Sequence, residues 1–186
     1  MTTGPAHNLD STSISRPIVL IGLVAAGKTT VGRLLAARLD LPFFDNDDAL
    51  FRRTGGRARD IAERDGPAAL HALEADALVA AVEAGTPAVV GAAAGAVLEP
   101  AAVAALRECL VVYLRVDPEV LVLRMQAEAD DGHRPRVDVF AQYAERDRGY
   151  CELAAVVVDG ASAPAEVVGR IIAALATPRP GVSRDG

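Results

Sequence analysis

Cysteine is scarce. The 186 residues hold only Cys109 and Cys151, which excludes a disulfide scaffold and makes a reducing cytosol the expected compartment. No apolar run approaches the roughly 18 residues that a membrane-spanning helix needs. Met1 to Asn8 has no cationic start and Ile18 to Val24 is too short for a signal core, so no export signal is expected. Basic residues number 19 against 25 acidic ones, a formal charge of −6, which argues against a general nucleic-acid binder with a basic footprint. Aromatic residues make up 4% and tryptophan is absent. Lysine is almost missing: the basic residues are 18 arginines and the single Lys28. An ammonium is a compact point charge and a guanidinium a wide fork, so a lone lysine suits a backbone curled tightly around one phosphate oxygen.

What is present is an apolar chain, 51% hydrophobic with a mean hydropathy of +0.24. It is too apolar to be wholly disordered and long enough for one domain with a sizeable core. Residues 1–15 read as a disordered arm and 177–186 as a flexible tail. Between them, strand and helix patterns alternate. Strands are expected at Pro17 to Leu23, Leu41 to Phe44, Pro87 to Ala92, Cys109 to Arg115 and Ala154 to Val158. Helices are expected at Thr29 to Leu39, Pro67 to Glu83, Pro100 to Glu108, Pro118 to Gln126 and Ala163 to Ala176. Such alternation implies an α/β fold of three layers, α/β/α, around a five-stranded parallel sheet. The polar stretch Glu128 to Asp138 reads as a lid or binding loop.

The first strand runs into Gly22-Leu23-Val24-Ala25-Ala26-Gly27-Lys28-Thr29, which satisfies G-x-x-x-x-G-K-[ST] with a strand before it and a helix after it. Small residues there let backbone amides turn toward phosphate oxygens, and the helix N-terminus adds partial positive charge. Gly22, Ala25, Ala26, Gly27, Lys28, Thr29 and Thr30 are the expected nucleotide cradle, with the Thr29 hydroxyl on a magnesium ion. Val24-Ala25-Ala26 contains no glycine, so its backbone is expected at negative φ. After the second strand, Asp45-Asn46-Asp47-Asp48 places two acids two residues apart, on one face if extended. One of Asp45 and Asp47 suits magnesium and the other a proton-accepting role, and Asp48 opens a short helix over Ala49 to Arg53.

These motifs resemble the shikimate kinases, of the nucleoside-monophosphate-kinase-like P-loop class, over about Ile18 to Ala174. The resemblance rests on the loop above and on Phe44-Asp45-Asn46-Asp47. It also rests on Arg53-Thr54-Gly55-Gly56-Arg57 with Asp60-Ile61, Asp65-Gly66, Val97-Leu98-Glu99-Pro100, Val111-Val112-Tyr113-Leu114, Arg134-Pro135, and Arg146 with Tyr150. It implies one P-loop kinase domain over 16–176, with an acceptor-binding subdomain at about 48–80 and a lid at about 127–138. It also implies transfer of the γ-phosphoryl of ATP to a ring hydroxyl with Mg²⁺. Asp45 then corresponds to the metal-side acid, Asp47 to the carboxylate that activates the hydroxyl, and Arg134 to the lid arginine over the transferring phosphate. Arg124 and Pro164 fall where the family packs adenine, and Arg146 where it contacts the acceptor's carboxylate.

The departures lie on the acceptor side. Leu70-His71 stands where the family has an acceptor-binding arginine, so a two-arginine clamp loses one fork. Ala93-Ala94-Gly95 stands where it has three glycines. His71, Ala94, Gly95 and Arg146 are therefore the expected acceptor contacts, in a divergent acceptor site. The expected function is a cytoplasmic Mg²⁺/ATP-dependent kinase of a small hydroxylated metabolite, shikimate first and a related cyclitol, sugar acid or hydroxy acid next, with weak or absent turnover of shikimate. No nucleic-acid or membrane partner is expected, and the chain is expected to be a monomer or weak homo-oligomer. Alternatives are a nucleoside monophosphate kinase, using Arg52, Arg53, Arg57, Arg59 and Arg64, a gluconate-type kinase, or a nucleotide-binding regulatory protein without turnover.

Overall fold

Ile18–Ile21 (β1) is buried at every residue, as a β-branched run flanked on both faces must be. It is the middle strand of the sheet. In the computed structural model, which describes residues 14–127 and 138–177, β1 pairs in parallel with Val89–Gly91 (β3) on one side and Leu110–Arg115 (β4) on the other. Phe43–Asp45 (β2) adds outside β3 and Val156–Asp159 (β5) outside β4, giving the order β2-β3-β1-β4-β5, parallel throughout. The chain order reverses beside β1, and ligands of open α/β sheets bind in the crevice at the carboxyl ends of strands at such a point.

The described helices are Lys28–Leu39 (α1), Asn46–Thr54 (α2), Ala58–Asp65 (α3), Pro67–Glu83 (α4), Pro100–Leu106 (α5), Pro118–Ala127 (α6), Val139–Leu153 (α7) and Pro164–Ala176 (α8). α1 packs with α8 and against β1 and β3, α4 packs with α5 and β3, and α7 packs with α6 and β4. The main core gathers Ile18, Leu20, Leu35, Leu78, Val112, Leu114 and Ile171, each fully buried aliphatic side chain contributing about 1.5–3 kcal/mol. Ile14, within the stretch read as an arm, is also buried there. A separate small cluster of Leu50, Ile61 and Leu70 ties α2, α3 and α4 together.

Several boundaries differ from the sequence reading, each for a local reason. Leu41 donates its N–H to Ala36 O at the end of α1, so β2 starts at Phe43. Ala154 donates to Tyr150 O, so β5 starts at Val156. α2 begins at Asn46 rather than Ala49, because Asp45 caps it. α3 and α7 were not expected as helices. α3 buries only Ile61, and the buried face of α7 carries Arg146 between Val139 and Tyr150, which hides its apolar period. Arg134 and positions 128–137 of the expected lid lie outside the described residues.

Candidate active site

After β1 the chain turns through residues 22–27 into α1. Gly22 has φ 147°, and a Cβ there would lie 2.8 Å from the carbonyl oxygen of Leu114 on β4, so only glycine leaves the sheet at this point. Ala25 has φ 60°, which corrects the expectation of negative φ throughout the loop. Two bonds hold it there: Ala26 N–H donates to Leu23 O (3.2 Å), and Arg124 Nη1 donates to Ala25 O (3.2 Å). The left-handed region costs a residue with a Cβ about 1–2 kcal/mol, whereas an alanine-to-glycine change ordinarily loses about 0.5–1 kcal/mol. Ala25→Gly is therefore expected to leave stability in chemical denaturation unchanged or raised. A loss of about 1 kcal/mol would show that the left-handed turn stores no strain.

Gly27, at φ 92°, precedes α1, and no side chain caps that helix. Its N-terminus is thus left for an anion, where backbone N–H groups and the helix dipole meet. Lys28 Nζ curls back over the loop and donates to Gly22 O (2.9 Å) and Leu23 O (2.8 Å). An arginine fork has no room to fold over its own loop in this way.

The acids stand beside this cradle. Asp45 caps α2 by accepting from Asp47 N–H through Oδ1 (3.0 Å), and its Oδ2 accepts from the Thr29 hydroxyl (2.7 Å). Capping and site-building are one arrangement here. Asp47 lies in the first turn of α2, not in extended chain, so the two acids converge through a strand-to-helix turn rather than through strand alternation. Among the described residues no group of three or more His, Cys, Asp or Glu side chains forms a metal cluster. The Thr29 hydroxyl and Asp45 carboxylate are hard oxygen donors, a pair that would hold a Mg²⁺ ion.

One cavity of about 630 Å³ joins both halves. On one side it is lined by Val24, Ala25, Gly27, Lys28, Thr29 and Thr30 of the phosphate loop and α1, and on the other by residues including Asp47, His71, Glu74, Ala93, Ala94, Gly95, Gln142 and Arg146. The turn at residues 93–95 is held from α7: Arg146 Nη1 (3.3 Å) and the Tyr150 hydroxyl (3.0 Å) both donate to Ala94 O. A Cβ on Gly95 would collide with His71 and Glu74, so the last glycine of this turn is required. Tyr150 packs on Tyr113 with ring centroids 5.0 Å apart, and burial pushes its hydroxyl up to about 12.

Glu74 was not singled out by the sequence. It is 5% exposed, its Oε2 has no hydrogen-bond partner, and its backbone carbonyl accepts from Asn46 Nδ2 (3.1 Å). Burial first, and the charge of Asp47 second, push its carboxyl up to about 7. The available signal was an acid at the buried α4 position between Leu70 and Leu78, four residues from each. The stability that protonated Glu74 contributes is fully present below its unfolded value near 4.5 and is lost as pH rises through about 7. Glu74→Gln should remove that loss, on the order of 3 kcal/mol between those limits. Denaturant titrations across that pH range check it, and parallel wild-type and variant profiles would contradict it.

The remaining expected residues divide. Gly22 and Ala26 shape the loop without lining the cavity. Arg124 bridges the loop to the β5–α8 turn, donating through Nη2 to Gly160 O (2.9 Å) and Ala161 O (3.2 Å). Pro164 begins α8, is exposed and does not line the cavity. Of the arginines weighed for a monophosphate acceptor, Arg59 alone lines the cavity, and it is paired with Glu63 (2.9 Å). Arg53 pairs with Asp76, Arg64 with Asp65, and Arg57 lies over the Phe51 ring. These arginines do not converge on a second phosphate.

Comparison with known proteins gives a consistent result. The profile of the shikimate kinase family matches residues 24–176. A shikimate kinase of Oleidesulfovibrio alaskensis is 40% identical over 167 residues, covering 86% of this chain and 96% of the relative. One of Burkholderia pseudomallei is 39% identical over 150 residues, covering 76% and 79%. Among solved structures, the shikimate kinase of Acinetobacter baumannii in complex with shikimate superposes with a TM-score of 0.78 at 27% identity, covering 89% of this chain and 96% of that one. No described helix is long and apolar enough to cross a membrane.

Proposed function

The chain belongs to the shikimate kinase family, and from that premise we propose that it transfers the γ-phosphoryl group of ATP to a ring hydroxyl of shikimate. The observation that carries this reading is that one cavity is lined by Lys28 and the start of α1 together with Asp47 and Arg146. A phosphoryl donor and an alcohol bound by those two sets of residues meet inside one enclosure, and enforced proximity is the largest service a protein renders to phosphoryl transfer.

In this reading the acceptor hydroxyl attacks the γ-phosphorus while Asp47 takes its proton. The new oxygen–phosphorus bond forms as the bond to the β-phosphate oxygen breaks, and ADP leaves. Lys28 stabilises charge on the outer phosphates, and Arg134 is assigned the same task on its sequence motif. Mg²⁺, when bound, would be held by Thr29 and Asp45 and would neutralise phosphate charge. Arg124 and the Pro164 side of the β5–α8 turn are proposed to flank adenine. Arg146, His71, Ala94 and Gly95 are proposed to hold the acceptor, with Arg146 on its carboxylate. The weak shikimate turnover expected from His71 and the two alanines then takes the form of a raised acceptor KM. The enzyme is proposed to act in the cytoplasm on a free metabolite, as a monomer or weak homo-oligomer.

The test is coupled ADP release with Mg²⁺ and ATP against shikimate, other cyclitols and hydroxy acids, and nucleoside monophosphates. Shikimate-dependent release that exceeds release with every other acceptor is expected. Release driven by a monophosphate, or none above the acceptor-free rate, would contradict the proposal.

A further inference from the structure

His71 and Glu74 are three residues apart on α4, so they share one face of the helix. Both line the acceptor end of the cavity and both crowd the same side of Gly95: a Cβ there would lie 2.8 Å from His71 Nε2 and nearer still to Glu74 Oε2. The fixed cations facing them share their charge with protein partners, including Arg146, which is assigned above to the acceptor's carboxylate. Arg146, 7% exposed, is paired through Nε with Glu145 Oε2 (3.1 Å) and bonded to Ala94 O, while Arg59 is paired with Glu63. Lys28 is folded over the phosphate loop. Among the described residues, no positive charge at the acceptor end lacks a carboxylate or carbonyl neighbour. Glu74 Oε2, by contrast, is buried with no partner.

We propose that His71 and Glu74 together set the charge of the acceptor end by the protons they hold, so that an acceptor carrying a carboxylate binds well when the pair is protonated and poorly when it is not. This rests on the reading of shikimate as acceptor. The charged groups that act on the pair have these signs, and the Arg59–Glu63 pair and Asp45 line the same cavity. Asp47 on α2 raises Glu74, while Lys28 on α1 and Arg146 on α7 lower it; Glu99 before α5 and Glu145 on α7 raise His71, and Arg146 lowers it. Burial is the largest influence on each, moving the carboxyl up to about 7 and the imidazole below its ordinary value. Toward acid Glu74 becomes neutral, and His71 gains positive charge only below its ordinary range because burial opposes it. In mild base His71 is neutral and Glu74 is an anion in a buried site, where like charges repel strongly. The acceptor's own carboxylate ionises near pH 4 and stays charged throughout.

The experiment is calorimetric titration of shikimate into the nucleotide-free enzyme from about pH 5.5 to 8.5 at constant ionic strength, a window that spans the raised Glu74 carboxyl. Leaving ATP out removes its own titration from the readout. The Kd is expected to rise at least about tenfold across the window, a factor equivalent to about 1.4 kcal/mol. Glu74→Gln should flatten the rise on the basic side, and His71→Arg, which fixes a positive charge, should lower the Kd most at the basic end. A Kd that stays constant in the wild type, or an unchanged rise in well-folded Glu74→Gln, would overturn the inference while leaving shikimate as the acceptor. Should Glu74→Gln not fold, the wild-type profile and His71→Arg decide. Absence of shikimate binding at every pH would remove the functional reading and this inference with it.

Discussion

Asp47→Asn is expected to lower kcat by about 10²–10⁴-fold, the range that a positioned proton acceptor supplies, with the KM for ATP little changed. The separation follows from place. Asp47 lines the cavity in the first turn of α2, and it is Asp45 Oδ2 that the Thr29 hydroxyl engages at the phosphate loop. The substituted amide keeps the shape and the backbone N–H that Asp45 Oδ1 accepts, so the α2 cap survives. It cannot take a proton from the acceptor hydroxyl. Steady-state kinetics with each substrate varied checks this. Turnover within a few-fold of wild type would remove Asp47 from the reaction and leave it as a helix-starting acid.

Lys28→Met is expected to cost about 10²–10³-fold in kcat, as the loss of one fixed donor at developing charge does, and to weaken ATP binding as well. The methionine is close in length and apolar, so the change isolates the charge. Lys28 also tethers the loop through Gly22 O and Leu23 O, so circular dichroism and Tm must accompany the kinetics. Lys28→Arg is expected to rescue little, because a planar fork does not fit where the ammonium bends back over its own backbone. Full activity in Lys28→Arg would show that the single lysine among 18 arginines has no chemical reason.

The parts of this molecule that were legible in the sequence are those where local chemistry forces the structure. The phosphate loop was visible because its glycines, lysine and threonine each have a role at fixed spacing, and β1 because a β-branched run between Pro17 and Gly22 has few other uses. Asp45 and Asp47 both line the cavity, but the strand-alternation argument that brought them together was geometrically wrong. Asp45 and Asp47 meet because a capped helix begins between them, not because a strand continues. Ala25 in the left-handed region was missed because the local turn bond from Ala26 N–H to Leu23 O and the long-range Arg124 bond to Ala25 O outweigh its intrinsic preference. Glu74 stayed hidden in an Ala- and Leu-rich helix, although a carboxylate on a face otherwise made of Leu70, Leu78 and Val82 demands an explanation. α7 hid for the converse reason: its buried face carries the arginine that holds the Ala93–Gly95 turn.

The same contrast separates the two ends of the cavity. The nucleotide end is built from backbone geometry and a short motif, and it reads directly. The end of the cavity proposed for the acceptor is assembled from α2, α4, α7 and the turn after β3, elements that are distant in sequence. Its character depends on which charges find partners, and that is visible only after folding.

The central claim is that one cavity holds the terminal phosphate of ATP against an acceptor hydroxyl presented by Asp47. The most direct measurement follows the γ-phosphoryl group itself: wild-type enzyme is incubated with γ-labelled ATP, Mg²⁺ and shikimate, and the products are separated. The account predicts that label leaves ATP as a phosphate ester of shikimate, and that Asp47→Asn nearly abolishes this transfer. Label that appears only as inorganic phosphate, or that stays in ATP when both substrates are saturating, would contradict it.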